Sequence, residues 1–504
     1  MSMSRFPKTF QVVIVLAFCA FTIFAANTPK LFAQPVANTT NTDAPGNLTV
    51  MNSYADVIRN VLSTIEGTYV DKIDPKVLYQ AALKGMLEAL DDPYTMYMDI
   101  SQTRDINDTT TGNFGGVGLQ ITKATKSTKE EPAYVEVAYP VEDGPGKRAG
   151  ILRGDLLIKI NGLPTDEMDM NKVLSLLRGP VGHSVSVTIR RGKSMEFDVT
   201  LIRDVIEVPT VKHTMIGDDI GYIKIIEFTP QTPTRVQDAL DSFAKKNYSR
   251  LILDLRNNPG GLITSVVNVV DKFIDSGVIV STKGRTRYNM MSYKARQERT
   301  TVPKDISIVV LINKGSASAS EILAGALKDY HRAYLIGENS YGKGSVQQVM
   351  HLPYDDGMRI TTARYYTPSD ANIDKVGIPP DREVKLPDIT ENQEKTYEAL
   401  YNSKVIQKYV EDHPKMSDDD VKSYATTLKK EYDIDERIIR RLINIERYKR
   451  TEEPPYDLDF DTQLNAAVTI LREENMPKLI SDTKTIHELQ DEAKAKGKGT
   501  KEKK

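Results

Sequence analysis

The rhythm of hydrophobic positions changes along this chain, and each rhythm predicts a different kind of structure. Behind Asp74 and Pro75, the residues Val77, Leu78, Ala81, Ala82, Met86, Leu87 and Leu90 recur at helical spacing. That predicts a capped amphipathic helix stopped by Asp91-Asp92-Pro93. Residues 50–66 carry the same signature. From 110 to 203 the pattern breaks into short runs such as AYVEVAYP, LLIKING and HSVSVTIRRG, with one short helix over Asp169–Leu177. This span reads as mostly strands. Beyond 205 the apolar runs become nearly continuous: GYIKIIEF (221–228), RLILDLR (250–256), ISIVVLIN (306–313) and AYLIGE (333–338). Such runs suit strands covered on both faces. Helical patterns over Pro233–Lys246, over Leu262–Asp275 and after residue 318 alternate with them, which predicts an α/β layer built from crossover units. From 390 onwards helix signals dominate. Ser417 and three aspartates head one helix, Ile438, Ile439, Leu442 and Ile443 mark another, and Asp461 heads a third.

Composition adds limits. The chain has 504 residues, too many for one ordinary core. It is 40% hydrophobic and 27% charged with a formal net charge of -2. That is a globular composition with no electrostatic case for a nucleic-acid partner. Arg5 and Lys8 precede the uncharged run FQVVIVLAFCAFTIFAA (10–26), the pattern of an export signal over residues 1–33. It is either cleaved after Ala25 or Ala33 or kept as a membrane anchor. The expected location is the periplasm or cell envelope. Cys19, the only cysteine, falls inside this segment, so no disulfide is expected in a mature protein. Residues 34–49 read as a flexible linker and 491–504 as a solvated lysine-rich tail.

Candidate chemistry centres on GSASASEILAGALKDY (315–330), where three serines alternate with alanines. There is no Gly-x-Ser-x-Gly elbow. Of six histidines, only His331 and His351 flank the segment and stay open as conventional partners. Neither a His-Glu-x-x-His motif nor a cysteine cluster is present, so no metal and no cofactor are expected. Lys343 stands between Gly342 and Gly344 in YGKGSVQQV. A lysine can take a serine proton once burial lowers its pKa. If 343–349 is extended, Gln347 shares the face of Lys343, and its amide oxygen can hold the amine. The competing reading is a glycine-rich turn with an exposed lysine. Ser318 stands three residues before Glu321, which is capping-box spacing, so its hydroxyl either caps the helix or attacks a substrate. The helix N-terminus favours a developing oxyanion in either case. The Ala319 N–H is one candidate donor. Gly260 or Gly261 of NNPGG supplies the other.

Together GSASASEILAGAL, YGKGSVQQ, LDLRNNPGG and GIPPDREV (377–384) resemble, in order and spacing, the carboxyl-terminal processing (tail-specific) proteases. The resemblance covers roughly residues 50–385. It implies Ser318 as nucleophile, Lys343 as general base and Gln347 as its orienting partner. It also implies a PDZ domain, in which Gly115, Gly116, Val117, Gly118 and Leu119 of GGVGLQI bind a substrate's terminal carboxylate and RAGILRGDLLIKING (148–162) is the central signature. Arg178 in LLRGPVG takes the place of a residue that couples this domain to the core. The implied fold is multidomain α+β: a PDZ β-barrel-like domain inserted before an α/β, crossover-built serine protease core, with helical N- and C-terminal regions. The expected boundaries are 50–108 for the N-terminal helices, 109–205 for the PDZ domain, 206–388 for the core and 389–490 for the C-terminal helices. The expected function is a serine endopeptidase cutting proteins near their C-termini. A catalytically silent PDZ scaffold or adaptor in the cell envelope is the alternative. Expected partners are protein substrates held by their tails, a regulatory or adaptor protein, and a second copy in a homodimer built on the helical ends.

Overall fold

The computed structural model describes residues 46–124, 127, 132–141, 143–192, 194–207, 209–448 and 454–501. The export-signal residues, Cys19, linker residues 34–45 and the last three residues lie outside the described residues. None of the described helices is long and apolar enough to cross a membrane.

Helices Gly46–Thr68 and Pro75–Glu88 open the described chain. Asp74 caps the second as the spacing predicts, accepting from the Lys76 N–H at 2.9 Å. The N-terminal region does not stay separate from the core. Its strand Met96–Met98 pairs antiparallel with Gly357–Tyr366. The Tyr97 hydroxyl donates to Asp356 at 2.7 Å on the same join.

The alternating region forms one antiparallel sheet. Its strand order is Leu119–Lys123, Val135–Pro140, Leu156–Ile160, Ser184–Arg191 and Met195–Ile202. Alternation sends Val185, Val187 and Ile189 inward beside Val135, Val137 and Leu157. A helix, Met170–Leu177, adds Val173 and Leu177 to that core. Among the described residues, Leu119–Lys123 lies at the sheet edge, paired only with Val135–Pro140. The chain enters through Asn113–Gly116 and leaves through Asp204–Glu207. These two strands pair with each other, so the unit is an insertion with its ends together.

The protease-type core is a six-stranded sheet ordered Val211–Ile216, Ile220–Ile225, Arg250–Asp254, Ser307–Ile312, Tyr334–Gly337 and Arg382–Glu383. The first pair is antiparallel and the rest are parallel. Helices Thr232–Ala244, Ile263–Val270 and Ala319–Asp329 cover one face. The helix expected over Leu262–Asp275 is thus shorter and ends in turns. The other face is covered from far along the chain. Helix Thr462–Glu473 lays Leu464, Ala467, Val468 and Leu471 against Tyr222, Ile252, Val309 and Ile336. That two-sided cover is why the strands read as unbroken apolar runs. Between these parts, four helices over Glu394–Tyr448 bury Leu400, Ile406, Val421, Ala425, Ile439 and Ile443 in a core of their own.

Candidate active site

Three buried serines begin the site, and their hydroxyls part company. Ser316 Oγ donates to the Leu255 carbonyl at 2.8 Å, and Ser320 Oγ donates to the Asn258 carbonyl at 2.9 Å. Both brace the loop after strand Arg250–Asp254. Ser318 stands between them with φ 58° and ψ −114°, a conformation costly for any residue with a Cβ. It precedes helix Ala319–Asp329 in capping-box geometry, yet its hydroxyl makes no cap hydrogen bond. The Glu321 N–H donates instead to the Ser318 carbonyl at 2.9 Å.

Glu321 ties the serine to the lysine. One carboxylate oxygen accepts from the Ser318 N–H at 2.7 Å and from the Lys343 N–H at 2.9 Å. The other accepts from the Gly342 N–H at 2.7 Å and from the Ser340 hydroxyl at 2.5 Å. Burial pushes the Glu321 carboxyl up, against the lowering pull of these four donors. The Tyr365 hydroxyl donates to the Lys343 carbonyl and lies 3.2 Å from the Ser318 carbonyl. Ser318 and Lys343 thus have their backbones fixed to one carboxylate and one phenol. Ser318 is 0% exposed and Lys343 3% exposed, so the exposed-lysine reading does not hold. The motif GIPPDREV braces the same loop: the Ile378 N–H donates to Ser340 Oγ at 2.6 Å.

Lys343 lies in the loop before strand Ser345–His351, and the pairing of that strand with Gly357–Tyr366 slips between Val346 and Gln347. The shared-face argument for Lys343 and Gln347 therefore does not apply. Gln347 is fully buried. Its amide nitrogen donates to Ser345 Oγ at 2.8 Å, and its amide oxygen has no partner.

The turn Asn257–Gly261 forms the facing wall. Gly260 (φ 112°) and Gly261 (φ 136°) hold conformations open only to glycine. A Cβ on Gly260 would stand 2.8 Å from Ser318 Cβ, and one on Gly261 would collide with the Phe228 carbonyl. The Gly260 N–H is already given to Asn258 Oδ1 at 2.9 Å. Gly260 therefore supplies closeness rather than a donor, and the expectation of Gly260 as an oxyanion donor is corrected in this conformation. The Ala319 N–H, first in its helix, has no acceptor within the helix. Beneath the turn, Arg256 bridges Asp254 (2.7 Å), Asp461 (2.6 Å) and Gln463 (3.0 Å). Burial alone would raise the Asp254 carboxyl, but Arg256 and the Tyr222 hydroxyl outweigh it and hold it down to about 2.

In the inserted unit, Gly115 and Gly116 belong to the lead-in strand, and the Gly115 carbonyl accepts from the Gly179 N–H at 3.0 Å. Val117 and Gly118 lead onto the edge strand, which begins at Leu119. Arg178 ends helix Met170–Leu177 and lies over the Phe114 ring, 4.6 Å from its centroid. His331 sits past the far end of the serine helix, paired with Thr483 at 2.9 Å, and His351 ends its strand exposed. Neither is brought to Ser318. Among the described residues no cluster of metal-binding side chains occurs. The reading of the sequence missed Arg256, Asn258 and Tyr365. Only the first two carried a signal, from their place inside LDLRNNPGG.

Residues 219–384 match peptidase family S41, residues 136–191 match a PDZ domain, and residues 17–102 match the N-terminal domain of the activating protease CtpB. A carboxy-terminal-processing protease of Bartonella bacilliformis is 40% identical over 343 residues, 67% of this chain and 76% of that protein. The carboxy-terminal processing protease CtpA of Bacillus subtilis is 32% identical over 494 residues, 94% of this chain and 100% of its own. A solved photosystem II D1 C-terminal processing protease is 28% identical, with a TM-score of 0.40 over 66% of this chain and 92% of that one.

Proposed function

Since this chain belongs to the carboxy-terminal processing proteases of peptidase family S41, serine peptidases with a PDZ domain, we propose that it cuts proteins near their C-termini with Ser318 as nucleophile. Lys343 Nζ, as the neutral amine, takes the Ser318 proton. Oγ then attacks the peptide carbonyl carbon, and the Ala319 N–H with the Gly261 N–H receives the oxyanion. The lysine ammonium passes its proton to the leaving amine. Water hydrolyses the acyl-enzyme with the lysine again as base. Gln347 offers its unpartnered amide oxygen to the amine when the amine is charged. No metal or organic cofactor takes part. The observation that carries this reading is the single Glu321 oxygen shared by the Ser318 and Lys343 N–H groups.

The PDZ domain binds the substrate tail by adding it to the open edge of Leu119–Lys123, with the segment Val117–Gly118–Leu119 taking the carboxylate. Arg178, stacked on the lead-in strand, links tail binding to the core. The chain is exported to the periplasm or envelope, and a regulatory protein tunes its activity. Helix Gly46–Thr68 exposes Val50, Tyr54, Val57, Ile58 and Val61 at helical spacing, which supports a homodimer through the N-terminal helices. Light scattering that finds only monomer would remove that last part.

The test is mass spectrometry of an unfolded protein substrate after incubation with wild type, Ser318→Ala and Lys343→Ala. New C-terminal cleavage products should appear with wild type alone. Persistent cleavage by Ser318→Ala defeats the mechanism. No cleavage by wild type favours a PDZ adaptor.

A further inference from the structure

Lys343 is not enclosed by the protease core alone. The segment Asp92–Thr95 reaches it from the N-terminal region. The Tyr94 carbonyl accepts from Arg359 Nε at 2.7 Å, and its N–H donates to Asp92 Oδ1 at 3.1 Å. Thr95 Oγ1 accepts from the Thr361 N–H at 3.1 Å and donates to Asp92 Oδ2 at 2.7 Å. These bonds fix the backbone on both sides of the tyrosine. Its ring then faces Lys343, with Nζ 5.1 Å from the centroid. The titratable groups around the ring are Tyr341 of the lysine's own loop, Glu321 of the serine helix, Asp374 of the loop after Gly357–Tyr366, and Tyr365 of that strand. Burial and the Tyr341 hydroxyl push the Tyr94 phenol well up.

We propose that Tyr94 is a positioning residue for Lys343: its ring face seats the amine in the site and favours the ammonium, so the N-terminal segment sets where the base stands and the pH at which it becomes competent. The inference rests on the reading of Lys343 as general base. An aromatic face attracts a cation within about 6 Å and a neutral amine much less. The ring therefore stabilises the protonated form, and the acid limb of the rate profile lies higher than an aliphatic wall would leave it. In exchange, a long flexible side chain is held to one place, and small misplacements of a catalytic group cost large factors in rate.

The experiment is the pH dependence of kcat/KM for wild type, Tyr94→Phe, Tyr94→Leu, Tyr94→Trp and Thr95→Ala. Tyr94→Phe keeps the face and should keep the limb. Tyr94→Leu should move the limb down by about half to one pH unit and lower the plateau by about tenfold. Tyr94→Trp, with the stronger face, should move it up. Thr95→Ala loosens the segment but keeps the ring, so the plateau falls and the limb stays. A limb that is unmoved or raised in Tyr94→Leu overturns the proposal, as does a Thr95→Ala shift equal to that of Tyr94→Leu. If Tyr94→Leu does not fold, an unmoved limb in Tyr94→Trp overturns it. Lys343→Ala separates the two levels. Its residual activity would defeat the lysine-base reading, whereas an inactive Lys343→Ala with unmoved Tyr94 variants defeats only this inference.

Discussion

At Ser318 the backbone departs from that of an ordinary helix cap. A cap residue sits in the β region, and its side-chain oxygen accepts from a free N–H of the helix. Ser318 has φ 58° and leaves the Glu321 N–H to its own carbonyl. The strain costs on the order of 1–3 kcal/mol and persists because Glu321 and Tyr365 hold both neighbouring backbones. Ser318→Ala keeps the Cβ and the strain, while Ser318→Gly relieves it. Both variants should lose cleavage, and urea unfolding should find the glycine variant about 1 kcal/mol more stable than the alanine variant. Equal stability would mean the conformation carries no strain. Glu227 offers a second test at this scale. Burial alone raises its carboxyl to about 7. A raised carboxyl contributes its stability below its unfolded pKa and loses it as pH rises through the folded value. Glu227→Gln should therefore match wild type near pH 4 and exceed it near pH 9 by up to about 3 kcal/mol. A difference independent of pH would show that the carboxyl is not desolvated.

At the scale of elements, the glycine turn beside Ser318 is held from below by an ion network that crosses 205 residues of sequence, from Arg256 to Asp461. Asp461 also caps helix Thr462–Glu473 through the Leu464 N–H at 2.9 Å. Asp461→Asn keeps the cap and removes the charge, so it isolates the ion pair. We expect it to cost about 1–2 kcal/mol, because Asp254 still neutralises Arg256. Asp461→Ala should cost about 1 kcal/mol more. Denaturant midpoints of the two variants check the order, and kcat should fall in both as the turn loosens. These long-range facts mark what the sequence could reveal. The strands, the serine helix and the Asp74 and Asp461 caps are local patterns of spacing and side-chain type, and they were legible. Motif spacing also pointed to Ser318 and Lys343, and both are buried with their N–H groups on one Glu321 oxygen. Gln347 came from the same motif spacing and from an argument of strand parity that does not apply, because Lys343 precedes the strand and the register slips at Val346. Tyr94 over Lys343, Tyr365 between two carbonyls and Arg256 under the turn depend on which distant segments meet. No periodicity records that.

Seen as one molecule, the chain divides differently from its linear regions. The sheet that carries the site lacks a second face until Thr462–Glu473 arrives, so the core does not end at residue 388. The helices over Glu394–Tyr448 are an excursion from it. The chain leaves and returns at one point: the Thr462 hydroxyl donates to the Lys385 carbonyl at 2.7 Å, and Gln463 Nε2 to the Val384 carbonyl at 2.8 Å. Because the ends meet, a few flexible residues can span them at small entropic cost. Replacing 389–455 with a short Gly-Ser linker should leave a folded, active protease that has lost one calorimetric transition, since the excised helices bury their own core. Stopping the chain at 455 should instead expose Tyr222, Ile252, Val309, Leu311 and Ile336 together and give insoluble protein. Soluble, active protein from the truncation would show that the covering helix is dispensable. Failure of the excised form to fold would make the four-helix unit part of the core's own folding.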